Sequence, residues 1–286
     1  MSKHILVIGA TGRVGCELVK LLIEKGESVR AATRNPVTNA SRFYNVVDVV
    51  EFDYDRPETF TPALIDIDKI FLSVRPGDNH SDIVSMPLID LAKQMNVQRI
   101  VDLTAMGVEQ DDSFMLRKLE KYIEASGIEY THLRPNWFMQ NFNSGPMYTE
   151  FMATGELHLP AADAEISFVD VRDVAAVGFS ALTQSHHVGK AYTLTGQEAI
   201  NHFQVVEKIS QVTFKKISYI PITEENSREM MEHRKIPVEL IDRWTEFYRK
   251  VRAGLCAPIS TDIESVLGRL PILFDQYVND YSTSWS

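Results

Sequence analysis

Near its start the chain reads Ile5-Leu6-Val7-Ile8-Gly9-Ala10-Thr11-Gly12-Arg13-Val14-Gly15. Four successive apolar residues suit an inner parallel strand, buried on both faces. Val14, Leu18, Leu21 and Leu22 then recur at helical spacing, so strand, turn and helix arrive in that order. Gly9 permits the tight turn, Gly12 lets the backbone approach a pyrophosphate, and Gly15 lets the helix pack closely on the sheet. Free N–H groups at the helix start would bind the phosphates. Without the flanking strand and helix the same glycines would indicate only a tight turn. With them, Gly9, Thr11, Gly12, Arg13, Val14 and Gly15 are candidate cofactor contacts.

The rest of the first half repeats this alternation. Strand patterns are expected at Ile5–Ile8, Ser28–Thr33, Val46–Phe52, Lys69–Val74, Arg99–Leu103 and Tyr130–Leu133. Helices are expected at Val14–Lys25, Ser81–Met95 and Phe114–Ala125, with a short one within Pro57–Asp66. Such alternation predicts an α/β fold, a parallel Rossmann-type sheet with helices on both faces. Gly26, Asn96 and Gly127 stand where helices should end in a left-handed cap. After Pro135 the pattern gives way to Asn136-Trp137-Phe138-Met139-Gln140-Asn141-Phe142, aromatics mixed with amides, which reads as a pocket wall or as ordinary packing. A helix beginning near Asp170 and a strand at Ala191–Thr195 return to the sheet. Glu198–Val212 and Thr223–Leu255 read as helices. The expected division is a nucleotide-binding part over 1–140 with returning segments at about 166–196. A smaller, mostly helical substrate lobe over the strand ends takes 141–165 and 197–286.

Composition restricts the partners. A net charge of -10 repels phosphate backbones and anionic lipid, and no basic stripe offsets it locally, so neither nucleic acid nor a membrane is an expected partner. The apolar stretch before Gly9 is too short for a signal-peptide core, and no run approaches the ~18 residues of a membrane span. Cys16 and Cys256 have no metal spacing and suit a reducing compartment. A cytoplasmic monomer or homodimer acting on a small molecule is expected.

The second strand ends at Ala31-Ala32-Thr33-Arg34-Asn35-Pro36. Enzymes that take NAD usually carry an acid there for the ribose 2′-hydroxyl. A cation at this place suits the 2′-phosphate of NADP, and a charge-assisted hydrogen bond of roughly 1.5–3 kcal/mol lets Arg34 set a ten- to hundredfold preference. Arg13 could reach the same phosphate, and Asn35 adjoins it. Asp53 could accept from the adenine amino group, or could with Asp55 simply form a turn. The loops Ser73-Val74-Arg75-Pro76-Gly77 and Thr104-Ala105-Met106-Gly107 follow strands at their carboxyl ends, where α/β sheets bind ligands. Arg75, Trp137, Phe138 and Phe142 are the candidates for a substrate pocket.

The glycine spacing is G-x-x-G-x-x-G, as on the short-chain dehydrogenase side of the nucleotide-binding folds. Together with Arg34-Asn35-Pro36, Phe52-Asp53-Tyr54-Asp55, the block from Ala125 to Phe142 and Ile166-Ser167-Phe168-Val169-Asp170-Val171-Arg172-Asp173-Val174-Ala175, it resembles the NmrA-like, atypical short-chain dehydrogenase/reductases over nearly the whole chain. Similar members include quinone oxidoreductases of type 2, triphenylmethane reductase and the festuclavine-type ergot-alkaloid reductases. The resemblance implies hydride transfer from NADPH to a small unsaturated or aromatic acceptor. It also implies that Pro135, Asn136, Trp137 and Phe138 border the nicotinamide. Thr104 falls near the catalytic Ser or Thr of the wider superfamily, though it could equally cap a turn.

The expected proton donor is missing. Ordinary short-chain dehydrogenases use Tyr-x-x-x-Lys, in which the Lys lowers the Tyr pKa. None of the ten tyrosines has Lys four residues later: Tyr122 is followed by Ser126, Tyr130 by Arg134 and Tyr248 by Arg252. Some members of the resembled family use Lys or His on the helix before the Ser-Gly step, a place held here by Leu116. A cationic acceptor needs no donor, and a quinone can take a proton from water, so the absence argues against alcohol or ketone chemistry more than against reduction. It also motivates an alternative, a non-enzymatic NADP-sensing regulator of the NmrA type; isomerase or epimerase chemistry is a third reading. No metal site is expected: His186-His187 reads as a loop, and the Glu224, Glu225, Glu229, Glu232 series as a solvated helix face.

Overall fold

The computed structural model describes residues 4–39, 47–75 and 80–285. Val46, where the third strand was expected to begin, and Pro76 and Gly77 lie outside them. The chain opens with β1 (His4–Ile8), α1 (Arg13–Glu24), β2 (Val29–Thr33), α2 (Pro36–Asn39), β3 (Asp48–Glu51), α3 (Phe60–Leu64) and β4 (Ile67–Ser73). It continues through α4 (Ser81–Gln94), β5 (Arg99–Leu103), α5 (Met115–Ser126), β6 (Glu129–Pro135), α6 (Pro146–Thr154) and β7 (Glu156–Leu159). Then come α7 (Val171–Thr183), β8 (Lys190–Leu194), α8 (His202–Thr213), β9 (Ser218–Pro221), α9 (Glu224–His233), α10 (Val238–Arg252), α11 (Asp262–Leu267) and α12 (Phe274–Asp280).

Seven strands form a parallel sheet in the order β3-β2-β1-β4-β5-β6-β8. This is the expected Rossmann sheet, and its order reverses between β1 and β4, the switch point at which such sheets bind ligands. Side chains alternate across each strand. Leu6, Ile8, Ile70, Leu72 and Ile100 bury against Phe60 and Leu64 of α3, Leu88 and Ile89 of α4, and Leu119 and Ile123 of α5. The opposite face carries α1 and α7, packed on each other. There a Cβ on Gly178 would stand 3.5 Å from Leu133 and Phe71.

The chain divides into two compact units, one of Met1–Pro135, Val171–Leu194 and Asp262–Arg269, the other of Asn136–Asp170, Thr195–Thr261 and Leu270–Ser286. These boundaries differ from those expected at 140, 166 and 196, for local reasons. Asn136 is tied into the second unit by hydrogen bonds from its Nδ2 to Ser167 Oγ and to the Cys256 carbonyl, both at 2.8 Å. Asp262–Arg269, expected in the lobe, joins the first unit because Asp262 accepts from the Thr193 N–H at 2.7 Å and Arg269 pairs with Asp173 at 2.6 Å. The second unit also holds a parallel pair, β7 with β9.

The expected caps at Gly26, Asn96 and Gly127 have φ of +78°, +59° and +82°. Helix α8 starts later than Glu198 because Asn201 and Gln204 form a reciprocal capping box at its entry. The single helix expected over Thr223–Leu255 is two, α9 and α10, broken where Lys235 turns left-handed at φ +57° and Pro237 follows. Among the described residues no helix is long and apolar enough to cross a membrane.

Candidate cofactor site

The glycines behave as a set. Gly9 has φ +77°, and a Cβ there would press on the Ser73 side chain at 3.1 Å. The Gly12 N–H donates to the Gly9 carbonyl at 2.8 Å. Gly15 is the least replaceable, since a Cβ would stand 2.2 Å from the Gly9 carbonyl oxygen, far inside van der Waals contact. Gly12 is the N-cap of α1 without a side-chain cap bond, and the first turn carries no acid. The entry of this helix therefore presents backbone N–H groups and the positive end of its dipole, which suits a pyrophosphate. Thr11 and Arg13 are partly exposed beside it, while Val14 is buried beneath. A cradle this closely filled by backbone fits the phosphates of a dinucleotide.

Arg34 and Asn35 are exposed just past β2. Thr33 Oγ1 holds this turn, accepting from the Asn39 side chain at 2.9 Å and from the Asn35 N–H at 3.4 Å. After β3, Asp53 Oδ1 accepts from the Asp55 N–H at 3.1 Å and faces Arg75 at 3.5 Å. Of its two readings the turn is the one this geometry supports. Arg75 itself is drawn to Asp55 at 2.7 Å and lies over the Tyr54 ring; charge attraction thus places it at the acidic turn. Ser73 ends β4, with its carbonyl accepting from the Tyr54 hydroxyl at 3.1 Å, and Val74 packs on the core of α3, α4 and α5.

Beyond β4 the first unit carries a polar layer that the sequence reading missed. Asp102 and Thr104 at the end of β5, and His132 and Arg134 on β6, share the face covered by α5. Helix α5 answers with Arg117, Glu120 and Glu124. Asp102 Oδ1 lies 2.6 Å from His132 Nδ1, and Glu124 3.3 Å from His132 Nε2. Glu120, fully buried, accepts from Thr104 Oγ1 at 2.9 Å, from Arg134 at 2.9 and 2.7 Å, and from Arg117 at 2.8 Å. Burial opposes the charge on Glu120, yet Arg134, His132, Arg117 and Thr104 more than offset it and hold the carboxyl below its usual range. Burial likewise opposes the charge on His132, and Asp102, with Glu120 and Glu124 behind it, holds that imidazole above its ordinary value. Asp102, Glu120 and His132 bring ligand-type atoms within 4.8 Å of one another, but Glu120 is already engaged by two arginines, so the group is an ion-pair network. The visible signal was polar residues at alternate positions of two inner strands.

Thr104, the catalytic candidate, is 7% exposed and aims its hydroxyl into that layer. Pro135 is buried, and its carbonyl accepts from the Met106 N–H at 3.0 Å.

In the second unit Trp137 stacks on Phe247 with ring centres 4.4 Å apart and meets Trp244 and Tyr248 edge-on at 5.8 and 5.9 Å. Trp244 is 42% exposed on α10. The sequence reading had Trp137 but not its three partners from α10. Phe138 is half-buried and bridges to Val169 through its backbone. Phe142 does not line a pocket: it is fully buried against Phe168, Phe274 and His202, and its carbonyl accepts from the indole of Trp285 at 2.7 Å. Burial of six-membered rings at this place is core packing.

Residues 1–270 match the model of the NmrA-like family. The chain belongs to the NmrA-like family. It is 28% identical to an NAD(P)H azoreductase of Xenophilus azovorans over 98% of this chain and 99% of that protein. It is 30% identical to a (4-alkanoyl-5-oxo-2,5-dihydrofuran-3-yl)methyl phosphate reductase of Streptomyces griseus, over 93% of each chain. Among solved structures, an NADPH-dependent quinone oxidoreductase of Escherichia coli complexed with NADPH superposes with a TM-score of 0.84 at 21% identity, covering 96% of this chain and 99% of that one.

Proposed function

We propose that this chain transfers hydride from NADPH to a small unsaturated or aromatic acceptor, such as a quinone or an iminium ion. It is an NADP-dependent oxidoreductase of the atypical short-chain type. The observation that carries the reading is the α1 entry, opened by Gly9, Gly12 and Gly15, with Arg34 where an NAD enzyme would carry an acid. The azoreductase, the 5-oxo-2,5-dihydrofuranyl-methyl phosphate reductase and the quinone oxidoreductase to which it is similar support the same chemistry. When bound, NADPH supplies the hydride; the protein binds and orients. The α1 amides would hold the pyrophosphate, Arg34 with Asn35 and Arg13 would hold the 2′-phosphate, and Ser73, Val74, Thr104 and Pro135 would border the cofactor further along. The first unit is the cofactor part. The second recognises the acceptor, through Trp137 and Phe138 with Trp244 and Phe247 beside them, since flat π-systems stack on such rings. The chain acts as a monomer or homodimer in the cytoplasm.

Arg34→Asp tests the cofactor assignment. NADPH affinity should fall about ten- to a hundredfold, the value of one charge-assisted hydrogen bond, with NADH nearly unchanged. Equal loss for both would remove Arg34 from the phosphate. NADPH oxidation across a panel of quinones, iminium ions and triarylmethane dyes tests the reaction, and activity with none of them would sink it.

A further inference from the structure

Glu120 joins the two strand ends that carry candidate cofactor contacts. Its Oε1 accepts from Thr104 Oγ1 at 2.9 Å and from Arg134 Nε at 2.9 Å, and its Oε2 accepts from Arg134 Nη2 at 2.7 Å and from Arg117 Nη1 at 2.8 Å. The backbone is joined at the same place: the Thr104 N–H donates to the Leu133 carbonyl at 2.8 Å and the Met106 N–H to the Pro135 carbonyl at 3.0 Å. One buried carboxylate thus fixes the segment after β5, the end of β6 and the middle of α5 to one another.

This arrangement decides what Thr104 can do. A threonine hydroxyl has one proton to donate. Here both acceptors within reach are internal, the Glu120 carboxylate and, at 3.3 Å, the Leu133 carbonyl. Two guanidinium groups keep Glu120 ionised, and an ionised carboxylate can only accept. Giving the Thr104 proton to an acceptor molecule would leave an alkoxide against that anion in a site of low dielectric, where the repulsion is strong.

We propose that Glu120 is a positioning residue for the cofactor contacts Thr104 and Pro135, and that Thr104 donates to Glu120 and supplies no proton to the reaction. The inference rests on the reductase reading for the identity of the ligand. It has a chemical corollary. An iminium acceptor becomes neutral on taking hydride, and a quinone that becomes a hydroquinone anion takes its proton from solvent.

The test uses the full chain and the variants Thr104→Val, Thr104→Ser and Glu120→Gln, with NADPH titrated by its own fluorescence in the absence of any acceptor. Thr104→Val should raise the NADPH Kd about three- to tenfold, the size of one ordinary hydrogen bond. Thr104→Ser should restore it. Adding Thr104→Val to Glu120→Gln should change the Kd little further, because the two residues act through one contact. With a quinone at saturating NADPH, kcat of Thr104→Val should fall about three- to tenfold, as for a displaced cofactor contact, and be restored by Thr104→Ser with the pH profile unmoved, whereas losing a true general acid costs about 10²- to 10⁴-fold. A loss of that larger size, restored by Ser, would make Thr104 the acid and overturn the proposal. So would a lowered Tm in all variants with unchanged Kd, which marks a purely structural role. If Glu120→Gln fails to fold, the two Thr104 variants still decide. A wild-type chain that binds NADPH and reduces nothing overturns the reductase reading alone, and the Kd series then judges the positioning role.

Discussion

In the first unit His132 lies 2.6 Å from the Asp102 carboxylate, whereas in the second His202 is surrounded by Phe142, Phe168 and Tyr219 with neither ring nitrogen hydrogen-bonded. Both side chains are closed off from solvent. Burial alone would depress both. It does so at His202, whose pKa falls to about 4, while the carboxylates around His132 reverse the effect. At His132 the partners outweigh the depth, whereas on Asp102 itself burial outweighs His132 and holds the carboxyl above its usual range. The same contrast runs through the two regions: the end of the β5–β6 pair is held by directed ion pairs, the middle of the second unit by aromatic rings.

The largest way to break that contrast is Phe142→Ala. Removing a fully enclosed ring should lower the unfolding free energy by about 3–5 kcal/mol in urea titrations, and a loss under ~1 kcal/mol would show that the rings are not tightly packed. Next is His202→Phe. A histidine with a depressed folded pKa contributes stability above its unfolded value, near 6.5, and loses it as pH falls toward the folded value of about 4. From pH 8 to pH 5 this amounts to about 2 kcal/mol, which His202→Phe should remove, leaving the share of His187, also held at about 4 mainly by burial. His132 has the opposite sign. Its contribution is complete below the ordinary histidine value and is lost as pH rises through the elevated folded one. The smallest change tests that origin: Asp102→Asn should lower the His132 pKa by about one unit or more in an NMR titration. An unmoved value would assign its elevation to Glu120 and Glu124 instead.

What could be read from the chain alone follows the same division. Gly9, Gly12 and Gly15 act through their own backbone, so their spacing carried the turn, the helix entry and the phosphate cradle. Gly26, Asn96 and Gly127 ended their helices for the same local reason. Glu120 is different. It is one acid on an amphipathic helix, and its meaning depends on Thr104, Arg134 and Arg117, which only the parallel register of β5 and β6 brings together. Trp244 likewise reads as a surface residue of a charged helix until the fold sets it against Trp137. Of the two readings open for Phe142, pocket wall or packing, its full burial supports packing; an aromatic within an amide-rich loop looks the same in sequence whether it lines a cleft or fills a core.

The late return of Asp262–Arg269 to the first unit bears on the order of synthesis. β8 is the last strand of the sheet, and the Thr193 N–H on it is satisfied by Asp262. An uncovered strand edge is a template for pairing with other chains. Until about seventy further residues have left the ribosome, the nascent sheet therefore carries at β8 an edge donor, the Thr193 N–H, that Asp262 at the start of α11 later occupies.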